Sequence, residues 1–69
     1  MADMKWIPIT EGPPKKDGWY LVTTYSSRGE RMVMISIYHS IPKIFEDFMS
    51  IPLNVLAWIP YPEPYDPNN

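Results

Sequence analysis

The sequence predicts an α+β fold: a small antiparallel sheet of three to four strands with one short helix. Three observations predict it. Two adjacent runs of aromatic and β-branched residues are separated by a Ser/Gly turn, an apolar stripe at helical spacing follows them, and a Trp-Ile-Pro unit lies near each end. At 69 residues the chain is one domain, and folding at this size buries only about 60% of the chain's surface. We expect a domain over residues 1–64 and a Pro-rich tail, 65–69, that frays.

The chain opens with Trp6-Ile7-Pro8-Ile9. This segment is short enough to be an edge strand, where Pro8 can face solvent without breaking a ladder. Residues 11–18 follow as a polar loop, because their glycines and prolines suit neither a helix interior nor a central strand. The first long strand therefore starts only after this loop.

An antiparallel hairpin over about residues 19–39 is the central predicted element. Residues 19–25 are aromatic, β-branched or leucine, the composition of a half-buried strand. Residues 26–29 then turn the chain, with Gly29 at the position that needs a positive φ. The partner strand covers residues 31–39 and alternates with period two.

The two faces of this partner strand differ in composition. Val33, Ile35 and Ile37 share one face, and this β-branched face is the predicted core side. Met32, Met34, Ser36 and Tyr38 share the other. The methionine side is either a second, thinner core layer or an exposed adaptable patch, and packing is the favoured interpretation.

The spacing of apolar residues predicts a short helix over about residues 41–50. The stripe falls at i, i+3, i+4 and i+7, and Ser40 could cap the segment. Pro52 bounds it, because a residue before proline is driven out of the α region. The stripe consists of Ile41, Ile44, Phe45 and Phe48.

A third strand is predicted over about residues 53–59, and the prolines from Pro60 onward end it. We expect the two Trp-Ile-Pro units to come together and close the fold. Residues 60–64 are expected to fold back onto the tryptophans, although a PxxP pattern at 64–67 leaves docking on a partner open. The predicted core comprises Trp6, Trp19, Val33, Ile35, Ile37, Phe45 and Trp58.

Four segments carry a resemblance to a known family. The chain opens with Trp6-Ile7-Pro8-Ile9, and a Pro/Gly loop and Gly18-Trp19-Tyr20-Leu21-Val22 follow. It closes with residues 55–64, whose most specific part is Trp58-Ile59-Pro60-Tyr61-Pro62-Glu63-Pro64. Over about residues 6–64 the chain resembles the small phage and prophage proteins grouped as domain of unknown function 551. The resemblance implies a phage or prophage accessory gene. It implies no activity.

Composition limits the classes of function. The absence of cysteine excludes disulfides and thiolate sites, and suits the cytosol. The formal charge is −2, and the small basic clusters at Lys15-Lys16 and Arg28/Arg31 are too few to bind nucleic acid by themselves. No signal peptide is predicted, and no apolar run approaches the roughly 18 residues of a membrane span.

Nothing in the sequence predicts an enzyme, a metal site or a cofactor. His39 is the single histidine, whereas a metal site needs several convergent ligands. Glu46 and Asp47 are adjacent, so on a helix they would diverge and form no acid/base pair. Ser26-Ser27 is interpreted as part of the turn, because no base in the sequence is paired with either serine to activate a nucleophile.

Three hypotheses of function follow. The preferred one is a non-enzymatic phage accessory protein that binds a host protein in the bacterial cytosol and could antagonise a defence system. The second is an oligomeric sponge for a nucleotide signal, stacking the base on Trp or Tyr and holding phosphate with Lys15, Lys16, Arg28 or Arg31. The third is a structural or assembly protein of the phage particle. The candidate contact residues are aromatic, Met and Arg side chains: Tyr25, Arg28, Arg31, Met32, Met34 and Tyr38.

Overall fold

The computed structural model describes residues 5–62 and 64–68. Expectations for residues 1–4, for Glu63 of the closing signature and for Asn69 of the tail lie outside the described residues. The sheet has five strands, and every neighbouring pair is antiparallel, in the order β1-β5-β2-β3-β4. The strands are β1 (Ile7–Pro8), β2 (Gly18–Tyr25), β3 (Arg31–His39), β4 (Ile44–Glu46) and β5 (Val55–Pro60).

The predicted α+β class is wrong, because the helix over residues 41–50 does not form. In the part of the chain that the structure describes, the one helical segment is a 3₁₀ turn over Ile9–Glu11. Residues 41–50 contain β4 between two turns, and the backbone is left-handed at Lys43 (φ 72°) and Ser50 (φ 63°).

The helical stripe misled because only part of it is buried. Ile41 and Phe48 are 90% and 83% exposed, whereas Phe45 is 5% exposed. Phe45 lies opposite Tyr38 on β3, and the Ser36 hydroxyl donates a hydrogen bond to the Glu46 carbonyl at 2.9 Å. Pairing on the existing sheet therefore overrides a local helical pattern.

The predicted hairpin is confirmed. Strands β2 and β3 pair from Gly18 opposite Tyr38 to Tyr25 opposite Arg31. The turn is closed by the Ser26 N–H donating to the Glu30 carbonyl at 2.7 Å. Gly29 has φ 81°, the positive value that the turn was expected to place there.

The predicted meeting of the two Trp-Ile-Pro units is also confirmed. Strand β1 pairs with β5, with Ile7 opposite Trp58 and Pro8 opposite Ala57. The Trp58 indole N–H donates to the Gly12 carbonyl at 3.0 Å, which ties the loop after β1 across the sheet. Strand β5 then pairs with β2, so the last strand lies inside the sheet and β1 forms its edge.

The main hydrophobic cluster lies on one face, which we call the inner face, and its buried members are Val22, Tyr38, Phe45 and Val55. On the opposite face Ile59, which pairs with Leu21, is also buried at 4% exposure. Half-buried residues from the hairpin and from other segments pack against this inner-face cluster. An aromatic cluster joins the strands through the edge-to-face contacts of Tyr20 with Tyr38, Phe45 and Trp58. Those packing residues are Ile9, Tyr20, Met34, Leu53 and Trp58.

The predicted core side of β3 is wrong. Val33 and Ile35 are 57% and 44% exposed and Trp19 is 51% exposed, while Ile37 and Trp6 are half-buried. The reason is that Ile9 and Leu53, from segments outside the hairpin, pack on the opposite side of the sheet. The side of β3 that carries Met34, Ser36 and Tyr38 is thus the core side, and Met32 at its turn end is 40% exposed.

Candidate functional site

The sheet surface opposite the core, which we call the outer face, displays a row of apolar side chains. Register places Trp19 opposite Ile37, Leu21 opposite Ile35, and Thr23 opposite Val33. Cross-strand partners point to the same side of a sheet, so these residues share one surface. Isolated exposed apolar residues are ordinary, whereas adjacent exposed apolar residues on one surface form a candidate site of interaction.

The Pro-rich segment after β5 borders this outer face. Tyr61, Pro62 and Pro64 line a shallow groove with Leu21 and Ile35, and Tyr61 lines a second groove with Trp19 and Ile35. Tyr61 is itself 48% exposed. The segment therefore extends the apolar surface of the outer face.

Opposite charges lie at the two ends of the outer face. At one end Arg31 shares the face with Val33, next to Tyr25 and to Arg28 in the turn. At the other end His39 Nε2 lies 2.9 Å from Glu46 Oε1. A partner surface with complementary ends would be held in one orientation.

A second carboxylate, that of Asp17, lies near this end of the sheet. Its Oδ1 accepts the Ser40 N–H at 3.0 Å. Hydrogen bonding from the Ser40 side chain, followed by this backbone bond, lowers the pKa of Asp17 below its ordinary 3.8, and the nearby His39 contributes in the same direction. The carboxylate is thus held charged beside the turn that follows β3.

The structure divides the six contact residues expected from the sequence. Tyr25, Arg28 and Arg31 are exposed at the turn end of the hairpin. The other three point to the inner face: Met32 is 40% exposed, Met34 packs against the core, and Tyr38 is 1% exposed. One surface does not contain all six.

Sequence reasoning missed the apolar residues that are exposed. Trp19, Val33 and Ile35 were assigned to the core. Residues 60–64 were expected to fold back onto the tryptophans, and Tyr61 lines a groove with Trp19. One signal could have revealed them: both faces of the hairpin are apolar, whereas the remaining chain is too short to cover both.

The lysines considered for nucleotide binding border a separate groove. Lys15 and Lys16 line it together with Tyr20 and Trp58. The polar atoms of both aromatic side chains are already engaged, since the Tyr20 hydroxyl donates to the Lys16 carbonyl at 2.8 Å and the Trp58 indole donates to Gly12. Burial raises the pKa of the Tyr20 hydroxyl.

Two searches of residues 5–62 and 64–68, for clustered metal ligands and for a membrane-spanning helix, are negative. No three or more His, Cys, Asp or Glu side chains within these ranges are grouped so as to hold a metal ion. No helix among them combines the length and the apolar character needed to cross a bilayer.

Comparison of the chain with protein-family models, with curated proteins and with solved structures finds no match.

Proposed function

We propose that this chain is a non-enzymatic binding protein whose outer face docks on another protein. The observation that supports this most is the exposure of large apolar side chains on the hairpin, with Trp19 at 51%, Val33 at 57% and Ile35 at 44%. Aromatic and arginine side chains, which are enriched in interface cores, surround them in Tyr25, Tyr61 and Arg31.

The chemistry of the face defines the partner. Its centre is apolar, so the partner surface must be apolar there. Its ends carry Arg28 and Arg31 on one side and Glu46 on the other, so the partner should present acidic and basic groups in the reverse order. The resemblance to phage accessory proteins directs the search to a protein of the bacterial cytosol, such as a component of a defence system.

A matched pair of variants tests the proposal. Trp19→Lys places a charge in the apolar centre of the face, whereas Phe48→Lys places the same charge on a side chain that is 83% exposed in the turn after β4. Tagged wild type, Trp19→Lys and Phe48→Lys would each be used to capture partners from bacterial lysate, after denaturant unfolding has shown that all three fold.

We expect wild type and Phe48→Lys to retain the same specific partner and Trp19→Lys to lose it. Retention of that partner by folded Trp19→Lys, or capture of no specific partner by wild type from several hosts, would contradict the proposal.

For the nucleotide-sponge alternative, the described residues offer the groove that Lys15, Lys16, Tyr20 and Trp58 line. Stacking on an aromatic ring beside a cation is a known way to hold a base and its phosphate. Titration with nucleotides, followed by tryptophan fluorescence in wild type and in Lys15→Ala/Lys16→Ala, distinguishes the two ideas. A saturable change that the lysine substitutions abolish would favour the sponge.

A further inference from the structure

The edge of β3 that faces away from β2 is only partly covered. Strand β4 pairs with Ile37, Tyr38 and His39. Within residues 5–62 and 64–68, no strand pairs with residues 31–36 from that side. The opposite edge of the sheet, by contrast, is the short β1, where Pro8 blunts strand addition.

The hydrogen-bond pattern of the hairpin identifies the backbone groups on this edge. The Ser26 N–H donates to the Glu30 carbonyl, so that pair is of the hydrogen-bonded type. Bonded and non-bonded pairs alternate along an antiparallel ladder. Met32, Met34 and Ser36 therefore bond to β2, and the N–H and C=O groups of Arg31, Val33 and Ile35 point outward, away from β2.

The pairing of β4 with β3 agrees with this alternation of inward and outward backbone groups. The next outward residues are Ile37 and His39, which lie opposite Glu46 and Ile44. On the far side of β4, the Leu53 N–H donates to the Phe45 carbonyl at 2.8 Å, as alternation requires. The open stretch is thus a continuation of a ladder that β4 already uses.

We propose that a second copy of this chain pairs with this edge, antiparallel and about a twofold axis at Val33. In that register Val33 lies opposite Val33 of the second copy, and Arg31 lies opposite Ile35 of the second copy. Every outward N–H of Arg31, Val33 and Ile35 then meets an outward C=O of the other copy. Such an interface is isologous, as closed dimers require.

The geometry of β4 selects this register. A shift of the axis toward Met34 would bring Arg31 of the second copy opposite Ile37, which β4 already occupies. A shift toward Met32 would leave Ile35 opposite the turn residue Gly29. The axis at Val33 uses all three outward residues, and the residue of the second copy that comes opposite Ile37 is then Gly29, in the turn where that chain leads away toward its own β2.

The side chains also favour a second copy. On the inner face Met32 lies opposite Met34 of the second copy, and these flexible thioethers adapt to each other. On the outer face a β-branched residue meets itself, and Arg31 meets isoleucine, so like charges do not lie opposite each other. Pairing would also join the two outer faces into one continuous surface, but the pairing itself does not depend on the proposed function.

The mass of the purified protein in solution tests the proposal. Sedimentation velocity from micromolar to millimolar concentration should show a monomer that converts to a dimer. Val33→Pro removes the central outward N–H without touching a bond to β2, as proline on an exposed edge is tolerated, and should hold the protein monomeric. Val33→Thr keeps the N–H and the branched shape, and should dimerise like wild type.

Trp19→Lys distinguishes pairing at this edge from binding at the outer face, because Trp19 lies on β2 and not on the open edge of β3. The proposal expects Trp19→Lys to dimerise normally. A monomer at all concentrations, a dimer that Val33→Pro leaves intact, or a dimer lost in Trp19→Lys would overturn it.

Amide hydrogen exchange gives a result that does not depend on a variant folding. In dilute wild type the N–H groups of Arg31, Val33 and Ile35 should exchange rapidly and those of Met32 and Met34 slowly. At high concentration the first three should become protected together. Protection of the first three that does not change with concentration, or that appears only when an unrelated extended peptide is added, would contradict pairing between copies.

Discussion

The two faces of β3 differ in burial, and the face with the β-branched apolar residues is the more exposed one. The outer face carries Val33, Ile35 and Ile37, and its first two residues are about half exposed. The inner face carries Ser36 and Tyr38, which are 0% and 1% exposed. A strand's composition indicates that its faces differ, but the elements that cross the sheet decide which face is buried.

The inner face tolerates hydroxyl groups because each has a partner. The buried Ser36 hydroxyl donates to the Glu46 carbonyl at 2.9 Å, and the buried Thr24 hydroxyl donates to the Asn54 carbonyl at 2.7 Å. Among the described residues, no buried side-chain N or O atom lacks a hydrogen-bond partner. A satisfied polar group costs little on burial, so the inner face can be the buried one although it carries hydroxyl groups.

The largest difference between the two faces of β3 should appear when a side chain on each is truncated to alanine. Tyr38→Ala removes a buried ring that contacts Tyr20 and Phe45, and should lower the free energy of unfolding by about 3–5 kcal/mol. Ile35→Ala, its counterpart on the outer face, should cost about 1 kcal/mol or less, as surface changes do. Urea denaturation measures both, and equal costs would remove the distinction between the faces.

A smaller effect should separate two adjacent threonines. Thr24→Val removes the buried hydroxyl that bonds to Asn54, and should cost about 1 kcal/mol. Thr23→Val, at a half-buried position on the outer face, should be neutral or slightly stabilising. Chemical denaturation of the two variants side by side checks this, and a greater loss in Thr23→Val would argue that the outer face is the packed one.

The smallest effect concerns the carboxylate of Asp17 and appears only at low pH. The pKa of Asp17 is lowered below 3.8 in the folded chain, so the native state binds fewer protons there than the unfolded state. Its contribution to stability is therefore present above 3.8 and is lost as the pH falls through the folded pKa.

Asp17→Asn should reduce the acid dependence of the unfolding free energy in that window, whereas Asp66→Asn in the tail should not. Unfolding curves recorded across the acid range decide between them. An unchanged acid dependence in Asp17→Asn would show that Ser40 does not hold the carboxylate.

The sequence supported the parts of the fold that depend on local chemistry or on one clear alternation. Gly29 indicated the turn, the flanking runs indicated the hairpin, and the two Trp-Ile-Pro units indicated that the ends meet. The helix failed because Phe45 shows the same apolar character whether it belongs to a helical stripe or pairs on a sheet edge beside Tyr38. The spacing of apolar residues does not encode a pairing with β3.

The site was less predictable than the fold. Whether Val33 or Met34 faces the core depends on where Ile9 and Leu53 pack, and both are distant from β3 in sequence. The outer face became a candidate only once these long-range contacts were known. The sequence shows the charges of Arg31 and Glu46, but it does not predict that both residues lie on the same face of the sheet.

Thiol labelling of single-cysteine variants tests the orientation of the sheet most directly, because the chain has no cysteine of its own. Ser36→Cys and Ile35→Cys place a thiol at adjacent positions on opposite faces of β3, at residues that are 0% and 44% exposed. In dilute native protein we predict rapid labelling of Ile35→Cys, and labelling of Ser36→Cys only at the rate at which the chain unfolds. Equal rates, or faster labelling of Ser36→Cys, would contradict the account.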